Sequence, residues 1–571
     1  MTGSAKPWVR AYGHPGGWSL DLAPLSLPAL FEDAVARRQR APMLDFQGRP
    51  YSYVEMDWLM RRLATGLVAA GIRPGDRIGL LMPNVPHHLC VYYGALRMGA
   101  IIVSYLPAQS AESLLRAIED SGTRLLFVMD GWTLLPRATE LLDGSLLERI
   151  VVGRLPEALP FGKALVHRLM RRGRGAALFG DPRVSGFHTL MDNDGTAPAA
   201  AIDAERDVAL IHYTECGAQR PKAAIFTHQA VTANARQINA IDPRNAIGHP
   251  GEVHRAIAAM PLSTLFGHAC IVTRAVLDGG EIVLTPRLEA GDVIAAMGRT
   301  RPTCMVGTPA LYAAMLDHPQ IAQTDFSTLR VVVAGGALLL PEFRDRFQER
   351  TGVVLAESYG VAEAGIVACN PIEGTSKPGS VGQSLPETRV ALVSCGDVTR
   401  APAPGQPGEI IVRGPQIMSG YWGDGAGEPF VERGGRLWLR TGDVGTIDDE
   451  GYIRIIDRLA DLFEVGDALV FPGQIEAILN RHALVAEALV AGLPDGTGGR
   501  APIAFVTLRP GGGAIDGEVL LSWLNPQLGR HEQVSRILFR DSLPRTPAGA
   551  LDRSVLIAEG CDELTSGPAA A

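Results

Sequence analysis

Between residues 50 and 360 the chain repeats one pattern: a short, almost wholly apolar run, a turn, then a stretch with helical periodicity. The runs are DRIGLLMPN (76–84), RLLFVMDG (124–131), RIVVG (149–153), RAIAAMPL (255–262), EIVLTP (281–286) and LRVVVAGGA (329–337), and PEFRDRFQERTG (341–352) typifies the helical stretches. A strand that is apolar at every position, rather than every second one, is covered on both faces. Helices that return over such strands bring them into parallel order. The pattern therefore predicts an α/β fold with layered, mostly parallel sheets.

After about residue 380 the texture changes. GEIIVRGP (408–415) and GYIRIIDR (451–458) read as strands between Gly/Pro-rich turns, which predicts a β-rich part of the same large unit. Beyond it, GQIEAILNRH (473–482) reads as helix and APIAFVTLRPG (501–511) as strand, an α+β mixture. The expected division is a large N-terminal domain over 1–458 and a small C-terminal domain over 459–571, with the boundary near Asp457–Asp461. A chain of 571 residues is long enough for both.

Charge and cysteine usage exclude several classes. The formal net charge is −8 and no basic stripe tracks a nucleic-acid backbone, so no nucleic-acid partner is expected. The seven cysteines are scattered and form no CxxC pair, which argues against a disulfide framework or a zinc site and suits a reducing cytoplasm. MTGSAKPWVRAYGHPGGW at the start lacks the apolar core of a signal peptide, and no run approaches the ~18 apolar residues of a membrane span. A soluble, cytoplasmic protein is expected. FGKALVHRLMRRGRG (161–175) stands apart, with Lys163, Arg168, Arg171, Arg172 and Arg174 beside Leu165, Val166, Leu169 and Met170 on one helical face. It reads either as a basic amphipathic helix for peripheral contact with an anionic membrane, or as a surface helix with solvated arginines.

The stretch YTECGAQRPKAAIFTH (213–228) has the setting of a phosphate-binding loop. A strand, DVALIHYT (207–214), precedes it; a helix, HQAVTANARQINAI (228–241), follows; Lys222 sits after Pro221 within reach of a phosphate. Yet Gly217 is its one glycine, and Glu215 is an acid. A carboxylate about 4 Å from a phosphate oxygen costs about 4 kcal/mol at an effective dielectric of 20. Cys216 has no identified base beside it and reads as an inert thiol.

Further stretches carry recognisable chemistry: LRTGDVG (439–445) followed by DEGYIRIIDR (449–458), VAGGALL (333–339), ESYGVAEAG (357–365), GPQIMSGYW (414–422) and LPRTPAGALDR (543–553). Together they resemble the adenylate-forming (acyl-CoA synthetase) superfamily, most closely its long-chain fatty-acid–CoA ligases, over nearly the whole chain. The resemblance implies activation of a carboxylate by ATP to an acyl-adenylate, then thioester formation with coenzyme A as the small domain, a mobile lid, rotates. It assigns Asp443 and Arg458 to the ribose hydroxyls, and a carboxylate suits a vicinal diol because it accepts two hydrogen bonds. On the residues alone, these two also read as a turn aspartate and a surface arginine. The resemblance places Gly335, Gly336 and Ala337 beside adenine, stacks Tyr359 on the base, gives Glu363 to Mg2+, Thr214 and Lys222 to the phosphates, and Gly466 to the pantetheine path of coenzyme A.

Departures from the family pattern cluster at the phosphates. The loop reads Glu215, Cys216, Gly217, Ala218, Gln219 in place of Ser, Thr and Gly, which lend backbone approach and hydroxyl donors. The adenylation lysine is Ala550, and loss of one such preorganised cation costs on the order of 10²–10³ in rate. Ala362, Thr264 and Ala460 replace a threonine, a histidine and a charged hinge residue, and Asp467 stands near Gly466 where a second glycine is usual. The sequence thus predicts a fatty-acid–CoA ligase-like protein with impaired adenylation that retains a fatty acid, acyl-adenylate or AMP as ligand. Two other readings stand beside it: a working ligase in which Arg545 or Arg553 replaces the lysine, and a non-catalytic acyl- or AMP-binding partner that forms a dimer with an intact ligase.

Overall fold

The computed structural model describes residues 11–130, 134–170, 181–214, 221–243, 254–337, 339, 341–423, 429–466, 468–495, 499–509, 515–545 and 551–565. The apolar runs become the strands of two large sheets. The first has eight strands in the order Gly420–Tyr421, Ala223–Thr227, Val208–Tyr213, Ile101–Ser104, Arg77–Leu81, Leu125–Met129, Arg149–Gly153 and Val184–Gly186. From Val208–Tyr213 onward every neighbour is parallel. Leu125–Met129 is buried at all five positions, as a strand with both faces covered must be.

The second sheet has two halves. Pro42–Phe46, Glu281–Leu284, Arg255–Ala259, Cys304–Gly307, Val331–Ala334 and Leu355–Val361 are parallel neighbours. Leu355–Val361 then folds back on Gly365–Cys369 and opens an antiparallel half that runs through Gly382–Ser384, Tyr452–Arg458, Leu437–Ile447 and Gly408–Arg413 to Arg389–Val393. The change from parallel to antiparallel falls at residues 362–364, just past the carboxyl ends of the parallel strands, where open α/β sheets bind ligands.

The helix Pro86–Arg97 begins on proline, whose missing N–H costs nothing at a first helical position. It is buried on all sides through Leu96, so it is a core helix, and it carries two histidines inward. His88 lies 5.5 Å from His268 between ring centroids, and Tyr92 stacks on His268 at 4.4 Å. Burial holds the His88 imidazole down to about 4, so it stays neutral in the core.

One element departs from the sequence reading. Between Lys222 and the helix His228–Ala240 the chain forms the strand Ala223–Thr227, antiparallel to Val208–Tyr213. The five residues AAIFT are too few for periodicity to separate them from a helix start, and Thr227 doubles as the helix cap by accepting the Ala230 N–H. The strands Val208–Tyr213 and Ala223–Thr227 thus flank residues 215–220, which lie outside the described residues.

Residues after 458 build a separate small sheet, Val485–Pro494 antiparallel to Arg500–Leu508 and Arg536–Phe539 parallel to the latter. The helices Pro472–Leu479 and Gly517–Leu524 pack on it through Ile475, Leu479, Leu520 and Leu524, with Val490 and Val506 beneath.

Among the described residues no helix is long and apolar enough to cross a membrane. In the helix Phe161–Met170, Phe161 is 87% exposed, Leu165 and Val166 are half exposed, and Ala164 is buried. Lys163 is tied to the Gln47 carbonyl at 2.9 Å. The side chains of Arg168, Leu169 and Met170, and all of 171–175, lie outside the described residues.

Candidate functional site

The TGD turn is built on an ion pair. Glu409, 1% exposed, receives the Arg440 guanidinium through both carboxylate oxygens, at 3.1, 3.1 and 2.7 Å. Its Oε1 also accepts the Gly442 N–H at 3.3 Å. Thr441 donates its hydroxyl to the Ile410 carbonyl at 2.8 Å and accepts the Asp443 N–H at 3.1 Å. Gly442 has φ +70°, a left-handed conformation that a side chain would strain. These contacts leave the direction of the Asp443 side chain with little freedom.

Asp443 meets two of the residues expected with it. Tyr359, in the strand Leu355–Val361, donates its phenol to Asp443 Oδ2 at 2.7 Å. Arg458 is the register partner of Asp443 on the adjacent strand, with its Nε 3.6 Å from Asp443 Oδ1. Burial raises the Asp443 carboxyl above its ordinary value, opposed by the Arg458 charge and the Tyr359 hydroxyl. The Arg458 side chain is 68% exposed, so the pair itself contributes little stability and the guanidinium can turn to a ligand.

Gly335 and Gly336 follow the strand Val331–Ala334 at its carboxyl end, with Ala337 next. A Cβ at Gly335 would sit 2.7 Å from the Phe266 ring and from Ser358 Oγ, so no larger residue fits. Gly336 has φ +84° with open space around it, which lets a flat ligand approach the backbone closely. Below this loop Glu357 accepts the Leu339 N–H at 3.3 Å, and burial pushes its carboxyl up to about 7.

Thr214 and Lys222 face each other where the hairpin closes. The Thr214 N–H donates to the Lys222 carbonyl at 2.8 Å, and the Lys222 N–H donates to Thr214 Oγ1 at 3.1 Å. Glu363 lies in the turn that joins the two halves of the second sheet. Its Oε1 accepts the Tyr421 phenol at 2.9 Å, and Lys222 Nζ stands 5.1 Å from the Tyr421 ring centroid. Tyr421 belongs to GPQIMSGYW, a stretch that sequence reasoning matched without giving this residue a role. Glu409, Arg440 and Phe266 were not singled out at all, since single side chains distant in sequence leave no local signal.

The structure thus brings the site residues into two groups, Asp443 with Tyr359 and Arg458, and Glu363 with Lys222 by way of Tyr421. Gly466 stands apart in the turn of the hairpin Phe463–Val470, at φ +62°. Glu215, Cys216, Gly217, Ala218, Gln219, Asp467 and Ala550 lie outside the described residues. Arg553, a candidate to replace the missing lysine, is engaged elsewhere: its guanidinium pairs with Asp461 and with Glu476 at 2.6 Å and donates to the Val490 carbonyl at 2.8 Å. Arg545 pairs with Glu487.

The residues fit an adenosine group: a buried carboxylate with a steered direction, an arginine free to move, and a glycine pair that admits a plane. They fit Mg2+ less fully. Among the described residues no three His, Cys, Asp or Glu side chains gather to hold a metal. Glu363 keeps one carboxylate oxygen beyond its bond to Tyr421, and a hard oxygen of this kind suits Mg2+, which takes one or two carboxylates and completes its shell with phosphates and water.

Comparison with known proteins gives the family. Residues 31–422 match the family model described as AMP-binding enzyme, and residues 474–550 match that of the AMP-binding enzyme C-terminal domain. A long-chain-fatty-acid–CoA ligase of Bacillus subtilis (strain 168) is 30% identical over 564 residues, covering 97% of this chain and 98% of the relative. A feruloyl-CoA synthase of Amycolatopsis sp is 31% identical over 508 residues, 88% of this chain and 93% of the relative. Among solved structures, ATP-bound MatB from Rhodopseudomonas palustris superposes with a TM-score of 0.77 at 23% identity, over 94% of this chain and 99% of that one, a likeness of fold.

Proposed function

The chain belongs to the AMP-binding enzyme family, and from that premise we propose that it is a fatty-acid–CoA ligase-type protein whose adenylation step is much weakened. The observation that carries this reading is the contrast within one site. Asp443, Tyr359 and Arg458 stand together in one cluster, whereas the sequence between Thr214 and Lys222 lacks hydroxyls and position 550 lacks a cation. In this reading the Asp443 carboxylate accepts hydrogen bonds from the ribose hydroxyls, the Arg458 guanidinium closes over them, and the backbone at Gly335–Gly336 lies against adenine. ATP, when bound, supplies the phosphoanhydride that a carboxylate attacks. Lys222 would face its phosphates, and Glu363 would hold Mg2+. The hinge falls between the domains 1–458 and 459–571, and Gly466 flanks the path of coenzyme A. Pyrophosphate release against a panel of fatty acids tests the reading directly, and rapid turnover with any of them would overturn it.

Nucleotide preference follows. AMP is expected to bind at least as tightly as ATP, because the adenosine contacts are intact while a carboxylate at 215 opposes the added phosphates. Titration calorimetry with both ligands measures it, and Mg-ATP binding tenfold tighter than AMP would sink it.

The exposure of Phe161, Leu165 and Val166 in the helix Phe161–Met170 favours peripheral membrane contact over a solvated helix. A merely solvated amphipathic helix buries Leu165 and Val166 in its own protein, and here both face solvent beside Phe161. With the arginines of 168–174 following in the sequence, the protein is expected to co-sediment with anionic vesicles and to be released by high salt. The pair Arg171→Glu and Arg172→Glu abolishes that binding, and sedimentation that does not respond to this pair would refute the contact. As an acyl- or AMP-binding protein it would also suit a dimer with an intact ligase, an alternative that a complete lack of pyrophosphate release with retained ligand binding would favour.

A further inference from the structure

The geometry points to Tyr421 as a positioning residue that couples the phosphate side of the site to the metal side. Its segment is stitched to both. The Ser419 N–H donates to the Ile225 carbonyl and the Trp422 N–H to the Ala223 carbonyl, at 2.9 and 2.8 Å, which fixes the segment along the strand leaving Lys222. The Met418 N–H donates to the Glu363 carbonyl at 2.9 Å, which fixes it to the turn carrying the acid. From this frame Tyr421 reaches in two directions. Its hydroxyl donates to Glu363 Oε1 at 2.9 Å and so restrains the carboxylate while leaving Oε2 outside this bond. Its ring lies 5.1 Å from Lys222 Nζ, within the range over which a ring face holds an ammonium.

The physical consequence is a division of labour within one side chain. A carboxylate held by a hydrogen bond presents a hard oxygen in one direction and loses less freedom when it takes up a cation. A lysine steadied on a ring keeps its ammonium near the site instead of sampling solvent. The hydroxyl therefore acts on the response to Mg2+, and the ring acts on metal-free phosphate binding. This inference rests on the assignment of Glu363 to Mg2+ and Lys222 to the phosphates given under Proposed function.

Calorimetric binding of ATP to the full chain, with Mg2+ varied and with the metal chelated, separates the two. Tyr421→Phe keeps the ring and is expected to raise the Mg2+ concentration for half-maximal enhancement of ATP binding by about tenfold, with metal-free ATP binding unchanged. Tyr421→Leu is expected to weaken metal-free ATP binding as well, by a few-fold. AMP affinity and melting temperature stay level in Tyr421→Phe, which a merely structural role would not allow. Glu363→Gln supplies the reference. If it abolishes the Mg2+ response while Tyr421→Phe leaves that response intact, the coupling is refuted and the metal assignment stands. If the unmodified protein shows no Mg2+ response, both fail together.

Discussion

Restoring the lysine at position 550 together with a Ser/Gly/Thr loop at 215–219 is expected to raise pyrophosphate release by more than the product of the two separate gains. Ala550→Lys alone supplies a cation where charge develops between carboxylate and α-phosphate, an effect worth up to about 10²–10³ in rate. On the proposed reading its gain falls short of that, because the sequence at 215–219 offers one glycine and no hydroxyl. The two repairs act on one bound ATP and so are not independent. Of the two arginines that could substitute, Arg553 is committed to Asp461, Glu476 and the Val490 carbonyl, whereas Arg545 holds a half-exposed pair with Glu487. Pyrophosphate release by the single and combined variants, with a fatty acid as substrate, measures the outcome. Coenzyme A consumption from pre-formed acyl-adenylate shows separately whether thioester formation survives. Robust acyl-CoA synthesis from ATP by the unmodified chain would refute the impaired-ligase reading.

Arg440→Leu is expected to cost about 3 kcal/mol of folding stability and to weaken AMP binding with it. Glu409 is almost fully buried, and the Arg440 fork is its charge partner. Removing one partner of a buried pair leaves an uncompensated charge, a loss of about 3–5 kcal/mol. Arg440 itself is partly exposed, so the cost falls at the lower end. The same carboxylate accepts the Gly442 N–H, so its displacement loosens the turn that aims Asp443. Urea unfolding and AMP calorimetry on the variant report the two effects. A stability within about 0.5 kcal/mol of the unmodified chain, the range of an ordinary surface change, would show that the turn does not depend on this pair.

What the sequence made legible follows from the range of the signal. Wholly apolar runs such as LLFVM report burial on both faces from their own composition, so the parallel sheets could be read locally. The pairing of Asp443 with Arg458 was legible because both lie in stretches that match a family pattern, and the strand register then places them side by side. Ala223–Thr227 escaped because a five-residue run next to a helix cap is too short to declare a period. Tyr421, Glu409 and Phe266 escaped for a different reason. Each acts through a partner tens of residues away, Tyr421 on Glu363, Glu409 on Arg440 and Phe266 against Gly335, and only folding brings them together.

The closed neck at Thr214 and Lys222 bears on how such a protein can change over generations. Regular pairing resumes at Tyr213 and Ala223, directly below the two mutual bonds of the neck. Both of these bonds run between Thr214 and Lys222 themselves. A change of sequence between the two residues therefore leaves this pair of bonds available, and the strands below it keep their register.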